Sequence, residues 1–149
     1  MPSPAAGLDL DQFLPYLMNV LASRLSRELA SVYEKRFGIS IPEWRVIAHL
    51  SQNRNVSVRE IHERVDMDKA KVSRAAARLE GAGIIEKRVN GADRRLVELQ
   101  LTKKGRKIFA EIEPLALACE QDLLSRLSSK EQASLRAIVG KLLEETIAS

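Results

Sequence analysis

The 149-residue sequence predicts a mainly α-helical fold with one small β-hairpin. Three observations carry that expectation. Apolar residues recur at three- and four-residue spacing in long runs near both ends of the chain. Between those runs, two short helical patterns lie only a few residues apart, each opened by a residue able to cap a helix. Directly after the second, the pattern changes to alternation on either side of an Asn-Gly pair, as a strand, a tight turn and a returning strand would read.

From about Asp11 to Arg36, Leu14, Leu17, Leu21, Leu25, Leu29 and Val32 form one helical stripe, widened by Val20, Tyr33 and Phe37. Pro15 is compatible only with the first turn, where a backbone N–H has no helical partner, so the helix is expected to start near Asp11. Residues 1–10 lack a basic region followed by an apolar run, so they read as a flexible arm and not as a secretory signal. A short helix follows from Pro42, with Val46, Ile47 and Leu50 as its core face.

Ser57 and Glu60 make a capping box for the next helix, whose buried stripe is Val58, Ile61 and Val65. The chain breaks at Val65-Asp66-Met67-Asp68, where Asp66 or Asp68 can cap another helix from near Lys69, ended by Gly81 and Gly83. On that helix Val72, Ala75, Ala76 and Leu79 share the core side, while Lys69, Lys71, Ser73, Arg74 and Arg78 point elsewhere. Two helices joined by a short turn, the second with an exposed cationic face, is the pattern of a helix-turn-helix whose recognition helix enters the major groove.

Ile85, Lys87 and Val89 lead into Asn90-Gly91, and Val97, Leu99 and Leu101 return on one face, giving a two-stranded wing. Its tip, Asn90 to Arg95, has no bulky apolar group and places two arginines where they can reach a groove. Charge supports this part as a polyanion-binding surface. Residues 54–107 hold 15 Lys and Arg against 8 Asp and Glu, whereas the rest of the chain holds 9 against 12.

Enzyme chemistry has no foothold. His49 and His62 are the two histidines, no pair has metal-ligand spacing, and neither a glycine-rich phosphate loop nor a nucleophile elbow is present. No metal or cofactor is expected. The single Cys119 excludes an internal disulfide and sits in an apolar helical pattern, as a small buried residue would. Aromatics at 4% argue against a stacking platform for single strands. No stretch approaches the roughly 18 apolar residues of a membrane span.

Beyond Thr102, Ile108, Ile112, Leu115, Cys119, Leu123 and Leu124 form a second long stripe, with a kink expected at Pro114. Ser128 and Glu131 box the start of a last helix carrying Leu135, Ile138, Val139, Leu142, Leu143 and Ile147. This is more apolar helix than a small winged helix requires. Its natural partner is the same helices of a second copy about a two-fold axis; an intramolecular cap on a monomer is the alternative. The expected organisation is therefore a winged helix-turn-helix at 41–102, flanked by N- and C-terminal dimerisation helices at 11–40 and 103–149.

The run from Asp93-Arg94-Arg95 through Leu101-Thr102-Lys103-Lys104-Gly105 resembles the wing signature of the MarR (multiple antibiotic resistance regulator) family, D-x-R, a strand, then L-T-x-x-G. Val72-Ser73-Arg74, Leu79-Glu80 and Gly83-Ile84-Ile85 are similar to that family's recognition helix and its exit. Phe37-Gly38-Ile39-Ser40 before Pro42-Glu43-Trp44 resembles its first interhelical junction, so the resemblance spans nearly the whole chain. It implies a homodimeric transcription regulator of the bacterial cytoplasm and nucleoid, often a repressor that binds a palindromic operator in double-stranded DNA and is released by a small molecule.

On duplex DNA, Ser73 and Arg74 are expected at base edges and Lys69, Lys71 and Arg78 at phosphates. Arg95 matches the family's minor-groove arginine, with Asp93 orienting a guanidinium and Arg94 at the backbone. Relatives bind effectors, commonly aromatic carboxylates, where the first two helices meet the wing domain and the dimer helices. Arg24, Trp44, Arg45 and His49 would supply an aromatic wall and a carboxylate partner; alternatively Trp44 is core and both arginines are solvated. Some relatives sense oxidants through a cysteine near the first helix, where this chain has none. The competing function is an architectural protein coating DNA without sequence choice.

Overall fold

Pro15 decides where the first helix begins. In the computed structural model, which describes the backbone of residues 7–52, 56–89 and 97–148 and side chains through residue 144, Asp9 accepts from the backbone N–H of Asp11 and caps a 3₁₀ turn at Leu10–Gln12. Helix α1 (Leu14–Phe37) starts only after it, with Pro15 in its first turn. The start expected near Asp11 is thus displaced, because Asp9 draws residues 10–12 into a separate turn. Six residues of the expected arm, 1–6, lie outside the described residues. Gly38, at φ 66°, ends α1 in the left-handed region, where a side chain would be strained.

Helix α2 (Ile41–Gln52) opens with a capping box that the sequence reading passed over: Ser40 Oγ accepts from Glu43 N at 3.3 Å and Glu43 Oε1 from Ser40 N at 3.1 Å. Val46, Ile47 and Leu50 are buried as expected. Strand β1 (Val56–Ser57) leads directly into α3 (Val58–Val65), where the Ser57–Glu60 box is present on both sides. Of the two aspartates between the helices, Asp68 is the cap, accepting from Lys71 N at 2.8 Å. Asp66 sits at φ 54°, the left-handed conformation an aspartate tolerates better than most residues. His62 Nδ1 lies 2.6 Å from the Met67 carbonyl and closes the turn.

Helix α4 (Lys69–Gly81) ends in a Schellman motif: Gly83, at φ 75°, donates to Glu80 O, and Ile84 donates to Leu79 O while both their side chains are buried. Strands β2 (Ile85–Val89) and β3 (Val97–Leu101) pair antiparallel, Ile85 opposite Leu101 and Val89 opposite Val97. The expected two-stranded wing is in fact a three-stranded sheet of order β1-β3-β2, because Val56 and Ser57 pair with Leu99 and Glu98. Two residues are too few for alternation to register in a sequence. The Asn90-Gly91 turn and the wing tip lie outside the described residues.

Helix α5 (Lys103–Leu124) continues through Pro114, and α6 (Ser129–Ala148) follows. The chain divides into two compact units after Glu113. The first has a core of Tyr33, Val46, Ile47, Ile61, Val72, Leu79, Ile85, Leu99 and Ile112, all essentially inaccessible to solvent. Within α1, Ala30 and Tyr33 join that core, whereas Leu14, Leu17 and Leu21 are exposed, Leu14 at 64%. In the second unit the Ser128–Glu131 box forms and Gln132 donates to the carbonyls of Leu124 and Leu127. Leu135, Ile138, Val139, Leu142 and Leu143 are exposed, and the side chain of Ile147 lies outside the described ones. Cys119 is half-buried. Among the described residues no helix is long and apolar enough to cross a membrane.

The junction between sheet and α5 explains the L-T-x-x-G string. Thr102 N donates to Ile84 O at 3.0 Å, and Thr102 Oγ1 lies 2.6 Å from Gly83 O while accepting from Gly105 N at 3.0 Å. The first turn of α5 is drawn so close that a Cβ on Gly105 would collide with the Ile84 carbonyl oxygen. Helix propensity favours alanine over glycine here by about 1 kcal/mol, yet overpacking against backbone costs about 1–3 kcal/mol. Gly105→Ala should therefore lower stability by that order in urea unfolding at fixed protein concentration. Gly81→Ala, with nothing within 4 Å of the added Cβ, should be neutral or slightly stabilising.

Candidate nucleic-acid interface

Four buried residues, Val72, Ala75, Ala76 and Leu79, pin one side of α4 to the core. The opposite side follows from the helical period: Lys69, Lys71, Ser73, Arg74 and Arg78 are all exposed, as expected. The Ala-rich underside lets the helix lie close to its neighbours, which leaves its polar face standing clear. Among the described residues, no side-chain ion pair engages Lys69, Lys71 or Arg74. These cations cluster with Ser73 in the N-terminal half, where the helix dipole adds positive potential.

The C-terminal end of α4 differs. Arg78 Nε lies 3.8 Å from Glu43 Oε1, and Glu43, 8% exposed, is the one charged residue buried among those described. Lys87 of β2 lies 3.6 Å from Glu80, and Lys104 of α5 donates to Ala82 O at 2.8 Å. On the outer face of the sheet, Gln100 donates to the Glu86 carboxylate, and Arg88 stands 4.0 Å from the same group. Asp93, Arg94 and Arg95, expected at the wing tip, lie outside the described residues.

Among the described residues of the first unit, clefts of two sizes open. The smaller, about 470 Å³, lies between α1 and α2 and is lined by Asn19, Ser23, Ser26 and Arg27 on one side and Ile41 and Arg45 on the other. Of the four residues expected to form an effector pocket, Arg45 is there; Arg24 is exposed and off the lining, and its place is taken by Arg27. A polar stripe at helical spacing, Asn19, Ser23, Ser26 and Arg27, is the signal that could have identified it. Trp44 is stacked instead with Tyr33, at 5.5 Å and 24°, and with Phe109, at 5.8 Å and 14°. Burial, reinforced by the Glu34 carboxylate, pushes the Tyr33 phenol up to about 12, so this ring stays neutral. The larger cleft, about 760 Å³, runs from Leu50 and Ser51 past Arg88, Gln100 and Arg106 to Phe109; Arg106 there donates to Leu101 O at 3.0 Å.

Comparison with known proteins finds similarity to one family of regulators. The model of the MarR family matches residues 37–96. The transcriptional repressor MprA of Escherichia coli (strain K12) is 35% identical over 92 residues, or 62% of this chain and 52% of that protein, so the chain spans about half of that relative's length. The HTH-type transcriptional repressor MdtR of Bacillus subtilis (strain 168) is 29% identical over 127 residues, covering 85% of this chain and 81% of that one. A crystal structure of a MarR/EmrR family transcriptional regulator from Acinetobacter sp. ADP1 superposes with a TM-score of 0.86 at 29% identity, covering 95% of this chain and 100% of the other.

His49 lines neither cleft. Its Nε2 is buried with no hydrogen-bond partner among the described residues, and burial, followed by the nearby Arg64 charge, lowers the imidazole pKa against a smaller opposing pull from Glu60. A histidine depressed in the folded state leaves stability intact above the unfolded value near 6.5. As pH falls through that value the unfolded chain gains a proton that the folded chain refuses, so stability declines. The urea midpoint should therefore fall between pH 7.5 and 5.5, and His49→Leu, which removes the group, should shrink that fall.

Proposed function

We propose, on its similarity to the MarR family of transcriptional regulators, that the chain acts as a homodimeric, sequence-specific DNA-binding repressor in the bacterial cytoplasm, relieved by a small organic anion. The observation that carries this reading is the outward face of α4, where Ser73, Arg74, Lys69 and Lys71 stand exposed, without an ion pair among the described residues, over a buried apolar underside. Arg74 suits the two acceptors of guanine, and Ser73 beside it can meet either base edge. Lys69 and Lys71 supply affinity through phosphates. Asp93, Arg94 and Arg95 are assigned to the minor groove beside the recognition helix.

The apolar residues exposed on the first turns of α1 and along α6 support assembly of two copies, because a monomer would leave both faces in water. The α1–α2 cleft is assigned to the effector. At about 470 Å³ it falls in the size range of small-molecule sites, and its two guanidiniums, Arg27 and Arg45, favour a carboxylate. One-ring aromatic acids fit that description.

Selection of genomic fragments with purified protein should enrich an inverted repeat whose half-sites lie about one helical turn apart. Enrichment of no sequence would replace this reading with the architectural one. Arg74→Ala should cost about 1–3 kcal/mol on the selected operator and relax choice at one position per half-site. Lys71→Ala should weaken operator and random duplex alike and reduce the salt slope by about 1. Light scattering should give about twice the 16.6 kDa chain mass. Arg45→Ala should abolish release by aromatic acids while leaving operator affinity in place.

A further inference from the structure

We propose that Arg78 and Glu43 form a latch that sets the pose of the recognition helix, so that Arg78 is a positioning residue and not a phosphate ligand; the consequence for DNA rests on the reading above. Glu43 already has one task, accepting from the Ser40 N–H at the start of α2. That task does not require burial, since the equivalent capping residues Glu60 and Glu131 are exposed. A carboxylate 8% exposed is costly without a countercharge. Arg78 provides it from α4, and the oxygen that serves the cap is the one facing its Nε.

The surroundings give the contact its mechanical meaning. Beyond Arg78, the exit of α4 is held to β2 through Glu80 and Lys87, and to α5 through the Ala82 carbonyl and Lys104. Arg78 adds the third tie, to α2, and it acts on the helix itself one turn from Arg74. Among the described residues, the side chains of Lys69, Lys71 and Arg74 in the N-terminal half carry no such tie. The C-terminal end of the helix is therefore tied on three sides by polar contacts, while the N-terminal half is held through its apolar side, Val72 and Ala75. Rotation about the anchored end would move Ser73 and Arg74 relative to base edges but leave the total positive charge unchanged. Base readout depends on that pose, whereas attraction to phosphates depends mainly on charge.

The two roles for Arg78 separate experimentally. Glu43→Gln keeps an oxygen for the Ser40 cap, and Arg78→Gln alters a half-exposed side chain, so each variant can be studied folded. A latch predicts that both substitutions lower the ratio of operator to random-duplex affinity, that the salt slope stays at its wild-type value, and that the double variant is no worse than either single one, a coupling of about tenfold. A phosphate contact predicts the reverse: Arg78→Gln weakens both duplexes equally and reduces the slope by about 1, while Glu43→Gln leaves the ratio alone. That outcome would overturn the proposal. Should wild-type protein prefer no sequence, the function is misread, and amide hydrogen exchange still tests the latch. Amides of α4 should exchange faster in both variants, and wild-type rates in both would refute it.

Discussion

The approach of α5 to the carbonyl of Ile84 is the contact on which the arrangement of the first unit depends. Three elements meet there: the exit of α4 through Gly83, the start of β2 at Ile85, and the first turn of α5. Thr102 joins them by giving its backbone N–H to one element and its hydroxyl to two. Gly105 permits the approach by having no side chain. Because α4 leaves this junction in a direction fixed by the Schellman motif, the same few atoms determine where its exposed face points.

From that junction, charge is sorted along α4 by what lies behind each position. The N-terminal half has apolar neighbours on its inner side only, and its cations remain available to an external anion. The C-terminal end lies against α2, β2 and α5, and there cations and carboxylates meet within the protein. Net positive charge over residues 54–107 is therefore a poor guide to which individual cations face outward. Arg74 and Arg78 share a face and differ in surroundings, because only Arg78 stands opposite Glu43.

Features written in local spacing were legible in the sequence. The buried set Val72, Ala75, Ala76 and Leu79, the boxes at Ser57 and Ser128, and the opposite strands of the hairpin all follow from neighbours within a few residues. What escaped depends on distant partners. Trp44 looks like a pocket wall until Tyr33 and Phe109, from two other helices, are stacked on it. Strand β1 exists only because β3 arrives beside it. Arg27 rather than Arg24 lines the α1–α2 cleft, because a stripe of leucines indicates which side of a helix is apolar and not which polar residue borders a gap. Asp66 and Asp68 were both reasonable caps, and the left-handed backbone at Asp66 decided between them.

The Tyr33, Trp44 and Phe109 stack also has a consequence in time. Its first two rings lie on helices adjacent in sequence, so they can meet while synthesis continues; the third belongs to α5 and leaves the ribosome only after the whole sheet has been made. Until then Trp44 lacks one of its two aromatic neighbours, and α2, which carries Trp44, Arg45 and Glu43, is incompletely held. The nascent chain thus cannot complete the packing around α2 before α5 has begun to emerge.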